Sequence, residues 1–521
     1  MRLWRSFPSP LLLLAGVVAC SSQDSATIAL TQGGETTTFT QAPAVTQILI
    51  QQVDSSGNTT TLGTAPFSAS TIPLTSESES ETVSIEATGL DAQDAAVVFG
   101  QTIPLYYGSL VGDTVWVFVQ RTGAFARAPS PPTDFRQAPL LANVQGQFVF
   151  MAGGTLPDGG DLPEGDGGLA FTPVSSTQLY DFGALQTLAA PPTLPSLDGG
   201  ATFAPQSLAM TGTVAWLIST QGGLYFDLSS NASEQIPEPA GGPSFADIAG
   251  GITVADSDGG QYIVGGTRTT GAPSTAVLWI NPNDLSNTAY PDGNAVWLTL
   301  SEPRLGASAT WVPGYGLVVA GGSANGSGVE VLDVTSNSTT NAVMSAPLPF
   351  PPDPSVGAGA TPLTGAQVLL AGGILPNGQD AGARGIDLSC RTTQCTPTVW
   401  TPLPTAIGTA QAFTFSATSA MVIGNEPLTG ITHAFQLTAP PGTTAATTSS
   451  SDASVTSSDA ESEEDAAAVA LGTAVEVSLP TYQGTDAAPG VLRNARAIWS
   501  PVASIVVFGG YDVLDTFRPP L

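Results

Sequence analysis

The run PRLGASATWVPGYGLVVAGG, residues 303–322, decides how the rest of the chain is read. It contains a short apolar strand, GLVVA, that ends in a glycine doublet, Gly321 and Gly322, with Arg304 seventeen residues before the first glycine. The strand and doublet return as FVFMAGG to Gly154, QYIVGG to Gly266, QVLLAGG to Gly373 and SIVVFGG to Gly510. VAWLIST from Val214 and AMVIGN from Ala420 are weaker members, which makes seven. Counted between first glycines, Gly153 to Gly265 is 112, two units of 56; the next steps are 56 to Gly321, 51 to Gly372 and 52 to Gly424. The last step, to Gly509, is 85, but residues 440–472 are a Ser/Thr/Ala/acidic tract of 33 residues too polar to bury a core. Without that tract the step is 52. Periods near 50, with frequent turns and no stretch of helical period, predict all-β units of four short strands that bury their faces against one another.

Other residues keep the same beat. Arg136 stands seventeen residues before Gly153, and Arg493 or Arg496 takes that place before Gly509. The expected third strands close on Asp181, Asp227, Asp333 and Asp387, and Trp297 and Trp400 stand before proline-containing turns. This combination resembles kelch repeats, the galactose-oxidase-like β-propellers, over about three quarters of the chain; two units lack the doublet and most lack the family's tyrosine. The resemblance implies a seven-bladed kelch-like β-propeller over residues 112–521, with the disordered acidic Ser/Thr-rich insertion at 440–472. The doublet glycines are then architectural, since a residue without Cβ tolerates positive φ and the close approach of a neighbouring backbone. After SIVVFGGYDVLDTF too little chain remains for four strands. The stretch TVWVFVQRTGAFARAPSPP from Thr114 is therefore expected to complete the seventh unit and leave no open edge.

Ahead of the repeats, VTQILIQQV (45–53) and TVSIEA (82–87) alternate with turn-rich segments, which predicts a small β-sandwich over residues 20–111. The chain opens with Arg2, Arg5 and an apolar run, Leu11–Val18, too short to span a bilayer. Residues Val17, Val18, Ala19 and Cys20 resemble the lipobox of bacterial lipoproteins. That resemblance implies a signal peptide at 1–19, lipidation of Cys20 and, with Ser21 and Ser22 following, an outer-membrane address facing the periplasm or the surface. Anchoring would follow from the buried methylenes of the acyl chains. In an oxidising compartment Cys390 and Cys395, in CRTTQC, are expected to form a disulfide; with one histidine in the chain, the rival zinc site lacks ligands.

Composition narrows the chemistry. Twelve arginines and no lysine stand against 42 acids, and the net charge of −30 repels nucleic acid and provides no clustered cations for phosphates. No lysine exists for a Schiff base. The copper-radical chemistry of the best-known branch of the resembled family needs two histidines, and the single histidine, His433, excludes it. His433 falls in an expected third strand with no nucleophile elbow nearby, so it reads as a structural position. The loop LPDGGDLPEGDGG offers Asp158, Asp161, Glu164 and Asp166 as a candidate calcium site, with the solvated acidic loop as the rival reading. No other cofactor is expected. The resulting expectation is a lipid-anchored, non-enzymatic cell-envelope protein whose propeller loops bind another protein. The alternative is a carbohydrate-binding or divergent glycan-active propeller, for which two carboxylates at the right separation would suffice.

Overall fold

The structure is a computed structural model, and it describes residues 24–521 apart from 68–69, 76, 133–135, 158–170, 189–192, 196–202, 267–270, 285–289, 291–292, 334–343, 391–393, 442–470, 481, 484–488 and 511–512. Cys20 and the calcium candidates Asp158, Asp161, Glu164 and Asp166 lie outside the described residues, as does most of the 440–472 insertion.

The described chain is all-β. Its helices are a single turn, Tyr107–Leu110, and a 3₁₀ turn, Phe245–Asp247, and no helix among the described residues is long and apolar enough to cross a membrane. Seven four-stranded antiparallel sheets are present among the described residues. Their second strands are Phe148–Ala152, Val214–Ser219, Gln261–Val264, Gly316–Ala320, Gln367–Ala371, Ser419–Asn425 and Ser504–Phe508. These coincide with the seven repeated segments of the sequence, and they are near-continuously apolar because both faces are covered by neighbouring sheets. The first strands, which begin at Leu140, Ser207, Ile252, Ser308, Gly359, Gly408 and Arg496, lie beside one another in chain order, and the last lies beside the first.

Apolar clusters fill the spaces between consecutive sheets. Phe150 of the first sheet packs with Leu217 and Phe226 of the second, Trp216 of the second with Leu278 and Ile280 of the third, and Val318 of the fourth with Leu370 and Ile386 of the fifth. Residues 442–470 fall between the third and fourth strands of the sixth sheet, where Thr438 pairs directly with Thr473. The seventh sheet is composite. Arg496–Ser500, Ser504–Phe508 and Leu514–Phe517 come from the end of the chain, and its outer strand, Phe125–Arg127, comes from 390 residues earlier, with Ala126 opposite Thr516.

The stretch from Thr114 thus joins the seventh sheet, but only through three residues. Thr114–Phe118 instead runs parallel to Ser25–Thr31 and sends Val115 and Val117 into the core of the first unit. Gln120–Arg121 pairs with Ala96–Gln101 of that unit. Pairing with the first unit thus continues past residue 111, because β-alternation carries the apolar side of 114–118 inward. The first unit has a three-stranded sheet, Ser70–Pro73, Ser25–Thr31 and Thr114–Phe118, and a six-stranded one; both contribute to a single cluster that includes Ile28, Ile50, Ile85 and Val117. It is docked on the first and seventh sheets. Ile103 packs with Phe182 and Val502, Gln101 Nε2 donates to Pro501 O at 3.2 Å, and the Arg518 guanidinium lies 4.7 Å from the centroid of Phe99.

Candidate functional site

Most residues of the pattern that repeats along the chain make contacts that hold the sheets and their turns. Arg136 and Arg304 are fully buried, and each donates Nη1 to the carbonyl of the glycine seventeen residues on: Gly153 at 3.1 Å and Gly321 at 2.9 Å. Arg304 also donates Nε to Glu330 Oε1 at 3.0 Å, and Glu330 accepts through Oε2 from Ser301 N. In the fifth sheet the arginine arrives from the opposite direction in sequence: Arg384, twelve residues after Gly372, donates to Gly372 O at 3.4 Å and pairs with Asp353 at 2.6 Å. Of the two candidates in the seventh sheet, Arg493 donates to Thr429 O at 2.6 Å and Arg496 to Thr409 O at 3.2 Å.

The third-strand aspartates cap the following turn. Asp181 accepts from Gly183 N at 2.7 Å, Asp227 from Ser229 N at 2.8 Å and Asp387 from Ser389 N at 2.9 Å; Asn281 does the same for Asn283 in the third sheet. The hydroxyl of Ser230, with Ser229 beside it, holds the Asp227 carboxyl down at about 2. Asp333 ends the third strand of the fourth sheet, exposed. Trp297 and Trp400 stand on fourth strands; Trp297 Nε1 donates to Pro239 O of the preceding sheet at 3.0 Å. Cys390 and Cys395 are disulfide-bonded with Cα atoms 6.1 Å apart, and Cys395 packs beside Leu388. His433 faces Glu476 on the adjacent strand, Nδ1 to Oε1 2.8 Å, with its ring stacked over Phe435. Among the described residues no group of three or more His, Cys, Asp or Glu is placed to hold a metal ion.

What the pattern does build lies where the seven first strands meet. A cavity of about 670 Å³ is lined by residues in or directly before the first strands of all seven sheets, among them Ser207, Thr253, Ala307, Ala358, Gln411 and Arg496. Its wall is made small by backbone meeting backbone. Gly306 donates to Gly266 O, Gly357 to Gly306 O at 2.8 Å and Ala410 to Gly357 O at 2.9 Å, so successive sheets are stitched at the rim. Gly266 needs to be glycine there: its φ is +77°, and a Cβ would stand 1.6 Å from Arg304 O. Side chains add further ties. Ser207 Oγ accepts from Gly250 N at 2.9 Å, Ser308 donates to Ala358 O at 2.7 Å, and Asn425 Nδ2 donates to Ala495 O at 3.1 Å.

Among the described residues that line this cavity, Arg496 is the one charged side chain, in a protein whose net charge is −30. A guanidinium within a wall of neutral backbone and small side chains attracts a carboxylate or another planar oxyanion more strongly than it would in bulk water. In the sequence Arg496 reads only as one of two stand-ins, with Arg493, for the repeated arginine. Its position as first residue of the last inner strand was the available signal, but nothing local says that seven such positions converge.

No protein-family model matches the chain, and no curated protein matches it. Among solved structures it is similar to U3-55K at a TM-score of 0.35 and 11% identity, covering 60% of this chain and 80% of that one. It is also similar to regucalcin, a calcium-binding protein of Agrobacterium tumefaciens, at 0.33 and 11%, covering 58% and 88%. A third likeness is to an auxiliary nutrient binding protein of Bacteroides thetaiotaomicron, at 0.32 and 9%, covering 89% of each. Likenesses of this size carry no weight for function, which has to be read from the cavity and its surroundings.

Proposed function

We propose that the seven sheets are the blades of one kelch-like propeller preceded by a small β-sandwich, and that the chain is an exported, lipid-anchored, non-enzymatic protein of the cell envelope that binds another protein at its axial cavity. The observation that carries this reading is the cavity itself, a ring of seven strand starts in which Arg496 is the one charged residue among the described lining residues. A segment of a partner that inserts an acidic side chain or a chain terminus would meet that guanidinium, and the loops of the surrounding blades would form the rim of the interface. Such an arrangement concentrates binding energy in one desolvated charged contact at the centre of a polar rim. Support for the anchor is the Cys20 segment, and support for the kelch likeness is the arginine-to-glycine bond seen in the first and fourth sheets.

The test is in-cell photo-cross-linking with a reactive residue at Gln411, which lines the cavity, in the anchored chain and in a Cys20→Ser version. The expected result is one protein recovered reproducibly from the anchored chain and lost when Arg496→Met is introduced. Recovery of background alone, or of a partner that Arg496→Met leaves untouched, would overturn the proposal.

A further inference from the structure

A second concave site lies away from the propeller axis, where the first unit meets the first sheet. Ser109, Asp113, Thr114 and Trp116 form one wall, and Phe182 and Gly183 of the first sheet form the other, around about 260 Å³. Trp116 belongs to the edge strand Thr114–Phe118, whose Val115 and Val117 point into the core. Alternation therefore turns Trp116 and Thr114 outward together, and the indole is left 56% exposed. A large aromatic surface held in water on a strand edge forgoes burial that a ligand would restore. The Asp113 carboxylate and the Thr114 hydroxyl take part in no hydrogen bond with any described residue, while the backbone of Asp113 is held at both ends: its N–H donates to Leu110 O at 3.2 Å and its carbonyl accepts from Thr27 N at 2.9 Å. Ser109 Oγ donates to Tyr106 O at 2.7 Å and retains its acceptor lone pairs.

We propose that this cleft binds a single neutral sugar ring, stacked on Trp116 and hydrogen-bonded through its hydroxyls to Asp113. The proposal rests on no residue of the axial cavity. A pyranose presents a face of C–H bonds whose partial positive charge suits the negative face of an indole. Its hydroxyls can rotate to donate charge-assisted hydrogen bonds to a carboxylate, which is acceptor-only. The other ligand classes fit less well. An anion would meet Asp113 on a chain of net charge −30. An alkylammonium is best held by aromatic faces on several sides, whereas here Trp116 is the exposed ring and Phe182 is buried. The volume lies below the roughly 300–1,000 Å³ of sites that enclose drug-sized molecules, which suits one ring with its neighbours left in solvent.

The experiment is saturation-transfer NMR and isothermal titration of the full Cys20→Ser chain with four probes: methyl α-glucoside, methyl β-galactoside, methyl α-mannoside and N-acetylglucosamine. Tetramethylammonium is run alongside them. At least one sugar is expected to bind, with the strongest transfer from ring C–H protons. Trp116→Ala should weaken that binding at least tenfold, Asp113→Asn at least threefold, and Arg496→Met should leave it unchanged. Trp116 and Asp113 are surface residues, so both variants should keep the parent's unfolding midpoint, which is measured in parallel. Absence of transfer from all four sugars, sugar binding that survives Trp116→Ala at full strength, or Trp116-dependent binding of tetramethylammonium alone would each overturn the proposal.

Discussion

Arg304 and Glu330 show how one residue pair holds a sheet to its loops. Both side chains are fully buried, and between them they satisfy carbonyls at Gly321, Ser327 and Gly328 and the N–H of Ser301. Removing one member leaves a charge without its partner in a low-dielectric place, which is far costlier than never having had the pair. Glu330→Ala is expected to lower stability by about 3–5 kcal/mol, read from the denaturant midpoint, whereas the exposed Asp333→Ala should cost under about 1 kcal/mol. The arginine was visible in the sequence because it recurs at a set distance from a glycine. Glu330 was not, since its partner lies on another strand and no repeat marks it. Arg384 escaped for a related reason: it serves the same kind of carbonyl from the third strand, so its offset from the glycine has the opposite sign.

The outer strand of the seventh sheet lies against two carboxyls whose protonation couples folding to pH. Arg127 stands opposite Asp515, with Nε 3.6 Å from Oδ1, and the N–H of Arg127 donates to both carboxylate oxygens of Glu35 at 2.8 and 2.9 Å. Asp515 is fully buried, neither of its oxygens accepts a hydrogen bond from a described residue at normal distance, and it faces Arg127 and Glu35. Burial pushes its carboxyl up to about 7, against the pull of Arg127, and burial also raises Glu35. Both folded values lie above the unfolded ones, so between roughly pH 4 and pH 7 the folded chain binds more protons than the unfolded chain. Stability from these groups is therefore full at acid pH and is lost as pH rises through about 7. Asp515→Asn should flatten that dependence and make the protein more stable than the parent at pH 8, by up to about 4 kcal/mol, while matching it near pH 4. Chemical denaturation at the two pH values decides it; equal slopes with pH in parent and variant would contradict the assignment.

At the scale of the whole molecule, the ring of sheets depends on joining two ends of the chain that are far apart in sequence, while the longest insertion leaves it untouched. Thr438 and Thr473 are already paired across the base of residues 442–470, so closing that gap with a four-residue linker should retain the fold. Shortening a loop by about three doublings relieves up to about 2 kcal/mol of closure entropy, so the unfolding midpoint should stay level or rise. A clear fall in the midpoint would show that the segment packs on the sheets. The all-β character, the seven second strands, the glycines at their ends, the aspartates that close third strands and the place of the insertion are legible in the residues alone. Each of those follows from periodicity or turn chemistry within a few residues. Three outcomes needed the folded chain: Thr114–Phe118 serves the first unit while Phe125–Arg127 serves the last sheet, seven strand starts converge on one cavity with Arg496 in its wall, and Trp116 and Asp113 share a cleft with Phe182. Those outcomes depend on pairings distant in sequence, 87 residues between Thr27 and Thr114 and 390 between Ala126 and Thr516, and which edge a short strand joins is settled by the apolar face it finds there rather than by its own residues.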